Sequence, residues 1–479
     1  MPRGSAPEAS ALRAPNVNER PEGSGPAEKV AGQARAGSSC RKIQLERNNR
    51  TNMKQSKANT RRHRRKGVAS TAAALTTIAG LLTVAPAAAS ASNGVVTIVY
   101  ATQGLGAEEA ATNTAIAGFE RANPGIKIKY LLLSSNTTDA LQQLTQDFIS
   151  GSSTPDVIES DIIYPAQFAK AGWILPLNKF HPNMKQFFPA IVNTVRYKNA
   201  YYGMPWFINA QGLFYRTDLV PTPPRTPQQL VVDAQAAMKR DPALKEGLAF
   251  EGSKYEGVIC VYQDFLGGFG GSLNAANLNT PANAAALQFM HDTIYKYKIA
   301  PASVTSWTES NVQNAFDSGQ AAFGINWPYL FPLVNAKGSP IAGKVAWIPF
   351  PSATGHPAAS LGGDDLVINK ASQYQADDWK FIQYLERPQV QAARMIAAGD
   401  APAVRAAYTP SLSKAVPYLS QAEKVFAVTK PRPVSPQYPE ISLDLQTMLS
   451  SVLTNQVSAK KALAETAPLV KQLFISGNS

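Results

Sequence analysis

The chain has 479 residues, with 46 Lys and Arg against 33 Asp and Glu, two Cys and 44% apolar residues, which suits a globular protein of two domains. Residues 1–91 hold 16 of the basic residues and 5 of the acidic ones, so the net charge of +13 belongs almost wholly to the leader and the body is near neutral. A nucleic-acid binder or a polybasic membrane-surface protein needs its cationic face on the folded part, and both classes are excluded on that ground.

Every aromatic residue lies at or beyond Tyr100, so the leader has nothing with which to build a core. Within it, Arg61-Arg62-His63-Arg64-Arg65-Lys66 precedes an apolar stretch from Val68 to Ala85 and then Ala89-Ser90-Ala91. This order reads as a secretory signal peptide over 53–91, cleaved near Ala91, and places the mature protein in a periplasm or outside the cell envelope. Residues 1–52 read as a disordered or gene-model extension, with Met53 as the expected start. No cysteine lies between Leu81 and Asn93 to carry a lipid anchor. Processing would leave Cys260 as the one cysteine, so no intramolecular disulfide is expected.

The β-branched run from Val95 to Tyr100 predicts a buried parallel strand, followed by a helix over Glu108–Arg121 whose Ala111, Ala115, Ile116 and Phe119 share a face. Asn123-Pro124-Gly125 ends that helix ahead of a strand at Ile126–Leu133, completing a βαβ unit. Helix Asp139–Ser150, strand Asp156–Glu159 and helix Ile163–Ala171 repeat the alternation, with Gly172–Leu177 as an exposed loop-strand. A strand at Gly212–Tyr215 and helices at Pro227–Arg240, Ala282–Tyr297 and Ser310–Gly319 follow. Strands are expected at Ala321–Ile325, Lys344–Pro349 and Asp365–Ile368, and helices at Gln375–Glu386, Gln389–Ala398, Ile441–Leu453 and Ser458–Phe474. Alternating strands and helices without a fixed repeat imply an open α/β sheet.

Catalytic and metal signatures are missing. His181, His291 and His356 are far apart and lack metalloprotease spacing. Gly104-Leu105-Gly106 and Gly267-Gly268-Phe269-Gly270-Gly271 read as turns, and Cys260 in Val258–Val261 reads as buried and inert. No cofactor, metal or catalytic residue is expected. What stands out is aromatic residues beside carboxylates and amides near turns: Trp206-Phe207-Ile208-Asn209, Asn326-Trp327-Pro328-Tyr329 and Gly362-Gly363-Asp364-Asp365. Sugars are held by this mixture, because ring C–H faces stack on aromatic planes while carboxylates and amides pair with hydroxyls.

In order along the chain, Phe119–Ile126, Thr154-Pro155-Asp156-Val157 with Asp161, Gly203-Met204-Pro205, Leu213–Arg216, Lys254–Gly257, Asn326–Tyr329, Leu361–Gly363 and Pro431-Arg432-Pro433 resemble the extracellular solute-binding proteins of ATP-driven sugar importers. The resemblance is to the maltose- and trehalose-binding branch. It implies a two-lobed periplasmic binding protein fold of maltose-binding-protein type, with discontinuous lobes at 94–207 plus 347–388 and 210–345 plus 389–479, and crossings near Ile208, Ile348 and Pro388. It implies a monomer that holds a di- or oligosaccharide between the lobes and delivers it to a membrane permease.

Carried over residue by residue, the resemblance makes Glu108, Asp161, Phe207, Asn209, Trp327, Tyr329, Gly363, Asp364, Asp365 and Arg432 the ligand-binding set. Trp327 and Tyr329 match a stacking pair, and Arg432 would hold hydroxyls or orient Asp161. Phe207 and Asn209 stand where the family has Tyr and Asp, and Asp364 stands where it commonly has Trp. The alternative from another class is an exported glycoside hydrolase using Asp161 with Glu108 or Asp365 as a carboxylate pair.

Overall fold

The apolar run after Val95 folds as strand β1 (Val96–Thr102), and the amphipathic stretch behind it as helix α1 (Glu108–Ala122), with Ala111, Ile116 and Phe119 buried. The computed structural model describes residues 94–478; the leader and the cleavage site expected near Ala91 lie outside the described residues. β2 (Ile126–Leu132), α2 (Thr137–Ile149), β3 (Val157–Asp161), α3 (Pro165–Ala171) and β4 (Met204–Ala210) follow. The start of α2 is fixed by Asn136, whose side chain accepts from the Thr138 and Asp139 amides.

Then come β5 (Gly212–Arg216), α4 (Pro227–Arg240), β6 (Glu246–Ala249), α5 (Glu256–Gly268), α6 (Pro281–Tyr295), α7 (Glu309–Asp317), β7 (Ala321–Asn326) and β8 (Val345–Ile348). The chain closes with β9 (Ala359–Ile368), α8 (Gln375–Leu385), α9 (Pro388–Ala398), β10 (Ala401–Pro402), β11 (Thr429–Lys430), α10 (Tyr438–Leu453) and α11 (Ala459–Asn478). Among the described residues no helix is long and apolar enough to cross a membrane.

Two sheets organise these elements. The larger has the order β10-β4-β9-β3-β1-β2, with β11 pairing the start of β9; the smaller has the order β8-β5-β7-β6. β1 runs parallel to β2 and β3, whereas β9 runs antiparallel to β3 and β4. Each sheet has its own core. Ile98, Phe119, Val157, Leu366 and Phe381 pack on the larger one. On the smaller, the pleat sends Leu213 and Tyr215 towards the helices α5, α6, α10 and α11, and Phe214 to the opposite face, where it stacks on Trp347 at 5.5 Å. A fully buried Phe of this kind contributes about 1.5–3 kcal/mol.

The chain passes between the sheets with Gln211 alone separating β4 from β5, and returns between Ile348 and Ala359. Two expectations need correction. Gly172–Leu177 is not an exposed segment: Ile174, Leu175 and Leu177 are buried, and the Leu175 amide donates to the Ile368 carbonyl at 2.9 Å, so the stretch seals the end of β9. In the segment 389–479, expected wholly in the second lobe, β10 pairs with β4 of the larger sheet, and Arg394 of α9 donates to Thr112 of α1.

Candidate functional site

A cleft that opens to solvent lies between the two sheets. The larger sheet supplies one wall. Glu159 and Asp161 sit two residues apart on β3 and therefore share a face, and Glu108 enters from the first turn of α1. Asn209 comes from β4, and Gly362, Gly363 and Asp364 from β9. These are strand and loop ends of an open α/β sheet, the usual place for a ligand. The opposite wall is made by Glu256 and Cys260 of α5, Glu309 of α7, Trp327 and Tyr329 after β7, and Arg432 after β11.

Close packing of these walls depends on two glycines. A Cβ on Gly362 would lie 2.5 Å from Trp327 Cζ3, so the absence of a side chain lets the indole lie on the β9 backbone. Gly363 has φ of 116°, and a Cβ there would come within 2.3 Å of the Phe207 carbonyl oxygen. Both functions fail with any larger residue.

Two buried guanidiniums govern the electrostatics. Arg432 donates from Nη2 to Asp161 Oδ1 at 2.9 Å, and from Nη1 to Asp161 Oδ2 at 3.4 Å and Glu256 Oε1 at 2.9 Å. It joins β3 of one lobe to α5 of the other. Glu256 also accepts from the Tyr438 hydroxyl at 2.6 Å and from Ser442. Burial drives the Glu256 carboxyl up, with Arg432 opposing it. Burial alone would lower the Arg432 pKa, but Asp161 above all keeps it well above the ordinary arginine value.

Arg394 stays on the larger-sheet side. Its Nε lies 2.9 Å from Asp400 Oδ2 and its Nη1 donates to Thr112 Oγ1 at 2.9 Å, while the guanidinium covers the Phe207 ring at 4.5 Å and Trp206 at 5.4 Å. Asp400 Oδ1 accepts from Asn209 Nδ2 at 3.1 Å. Burial, then the Asp400 charge, push the Glu108 carboxyl well above the usual carboxylate range. Glu159 accepts from the Tyr100 hydroxyl at 2.6 Å and Trp206 Nε1 at 3.1 Å. Burial, then Glu159, raise Asp364 well above its ordinary value. Across the cleft, Glu251 accepts from Tyr255 at 2.7 Å and Gln211 at 3.0 Å, and burial followed by Glu309 raises it in turn.

Of the ten residues singled out in the sequence, the structure brings Glu108, Asp161, Asn209, Trp327, Tyr329, Gly363, Asp364 and Arg432 to this cleft. Two do not reach it. Phe207 is buried behind the wall as the platform for Arg394. Asp365 turns to the other face of β9, as strand alternation requires, and is buried beside Thr194. Sequence reading missed Glu159, Glu256 and Glu309. The two-residue spacing to Asp161 carried a signal for Glu159, and Glu256 lies within Lys254–Gly257; Glu309 had none.

His181, His291 and His356 lie away from the cleft, and no group of three or more His, Cys, Asp and Glu suited to a metal occurs among the described residues. Cys260 lines the cleft but is buried, and burial pushes its thiol well above the usual range, which disfavours a thiolate.

Residues 102–392 match the profile of the bacterial extracellular solute-binding protein family. A probable ABC transporter-binding protein of Deinococcus radiodurans is 31% identical over 403 residues, covering 80% of this chain and 94% of that protein. Among solved structures, maltose-bound MalE3 of T. maritima superposes with a TM-score of 0.75 at 32% identity, covering 79% of this chain and 100% of that one. A solute-binding protein of Thermotoga lettingae bound with α-D-tagatose gives 0.71 at 26% identity, with 79% and 100% covered. The chain belongs to the bacterial extracellular solute-binding protein family and has the two-lobed, discontinuous fold of its maltose-binding members.

Proposed function

We propose that this protein captures a di- or oligosaccharide outside the cytoplasm, closes its lobes over it and presents the closed form to the permease of an ATP-driven importer. The observation that carries the reading is the convergence of Trp327, lying on Gly362, with acceptors from both lobes around one cleft. An indole face suits the C–H surface of a pyranose, and the carboxyl groups suit its hydroxyls. Maltose, bound by the T. maritima relative, and trehalose are the first sugars to try; the tagatose-bound neighbour widens the set to monosaccharides. Closure bends the chain where it passes between the sheets, at Gln211 and between Ile348 and Ala359.

A thermal-shift screen of mono-, di- and trisaccharides identifies the ligand, because one that binds only the native state raises Tm. Trp327→Ala is expected to lower the affinity for that sugar at least a hundredfold in calorimetry while the circular dichroism spectrum stays unchanged. Unaltered affinity would reject the site. Glycoside hydrolysis is disfavoured because Asp365 is turned away from the cleft and Asp161 is committed to the Arg432 fork. Incubation with maltose, trehalose and longer glucans is expected to yield no product.

A further inference from the structure

The cleft holds more acids than its two guanidiniums pair directly. Both guanidiniums beside it are engaged, Arg432 with Asp161 and Glu256, Arg394 with Asp400. Glu108, Glu159, Glu309 and Asp364 line the same space without an ion-pair partner among the described residues. The Asp364 carboxyl receives no hydrogen bond from any described residue. A second, uncharged group points the same way. Asn209 lines the cleft and is more than nine-tenths buried; with its Nδ2 given to Asp400, its Oδ1 is a buried acceptor without a partner.

Such a lining is short of donors and of positive charge. Carboxylates drawn together and partly withdrawn from water without a counter-charge are strongly unfavourable. A neutral sugar donates one hydrogen per hydroxyl and leaves the charge uncancelled, whereas an ammonium supplies three donors together with the missing charge. We propose that the cleft is built for a sugar carrying a protonated amine, an amino sugar, whose ammonium sits against Asp364 between Glu108 and Glu159 and whose donors reach Asn209 Oδ1. The Trp327 face beside Gly362 offers the same cation an aromatic contact. The elevated Asp364 and Glu108 carboxyls fit this picture, because they mark places where negative charge is costly until a cation arrives. The inference rests on the sugar-binding reading above and narrows it.

The test uses pairs of sugars that differ only at C2: cellobiose against fully deacetylated chitobiose, maltose against 2-amino-2-deoxymaltose, and trehalose against its 2-amino derivative. Calorimetry on the mature protein at pH 6.5 is expected to show the amine binding at least tenfold more tightly in one or more pairs. Asp364→Asn should remove that preference, the amine losing at least tenfold more affinity than its neutral partner; Glu108→Gln serves the same purpose should Asp364→Asn fail to fold. A neutral sugar that binds as well as or better than its amine in every pair that binds overturns the inference and leaves the sugar reading standing. A preference that survives both substitutions also overturns it. If no pair shows heat or a thermal shift while a neutral sugar of the wider screen does, the inference falls and the sugar reading stands.

Discussion

Arg432 and Arg394 are both buried among acids, yet they do different work. Arg394 has all its partners on one side: Asp400, Thr112 and the Phe207 and Trp206 rings belong to the larger sheet and its helices. On the closure proposed above, its pairing would be the same with the lobes apart or together. Arg432 instead holds Asp161 on β3 and Glu256 on α5, so its hydrogen bonds span the two sides of the cleft, and on the closure proposed above they would be complete only with the lobes together. One guanidinium belongs to the scaffold of the larger sheet; the other ties the two sides of the cleft and would favour the proposed closure.

Three experiments bear on that contrast. Arg394→Met should have the largest effect, a loss of about 3–5 kcal/mol in denaturant unfolding, because Asp400 and its neighbours would be left buried without a counter-charge in every state of the protein. Arg432→Met should cost less, about 1.5–3 kcal/mol for hydrogen bonds between charged groups, and should raise the radius of gyration of the sugar-free protein in small-angle scattering. Equal losses for both variants, with no change in scattering, would erase the distinction.

The smallest effect concerns an acid with no guanidinium at all. Asp378 is buried, accepts from Ser372 at 2.6 Å, and burial pushes its carboxyl up to about 7. A folded-state pKa above the unfolded one means that the native state binds the extra proton, so the contribution is complete below about pH 4 and is lost as pH rises towards 7. Unfolding midpoints measured at pH 5 and pH 7.5 should fall with pH in the native sequence and fall less in Asp378→Asn.

Much of the fold was legible where periodicity was one-sided. Glu108–Ala122 and Pro227–Arg240 bury one stripe and expose the other, and their sequences show it. Helix α5 was invisible because every residue from Glu256 to Gly268 is buried, so no polar face marks its period. β9 was read only from Asp365 because Gly362-Gly363 looks like a turn; the glycines are there for the close approach of Trp327 and the Phe207 carbonyl, which depends on the packing of distant segments. The site followed the same rule. Trp327, Asp161 and Arg432 were legible through their neighbours in sequence, whereas Asp365 was wrongly paired with Asp364 because adjacency along a strand means opposite faces. Phe207 was assigned a sugar contact although the cation it faces, Arg394, lies almost two hundred residues away.

The passage from β4 to β5 sets the geometry of entry. With Gln211 alone between Ala210 and Gly212, two virtual bonds span no more than about 7 Å, and both flanking residues are locked into strands. The halves can swing about that point like covers about a spine but cannot drift apart. On the proposed closure the gap would therefore widen most at the rim farthest from Gln211, which makes that side the expected entry for solute.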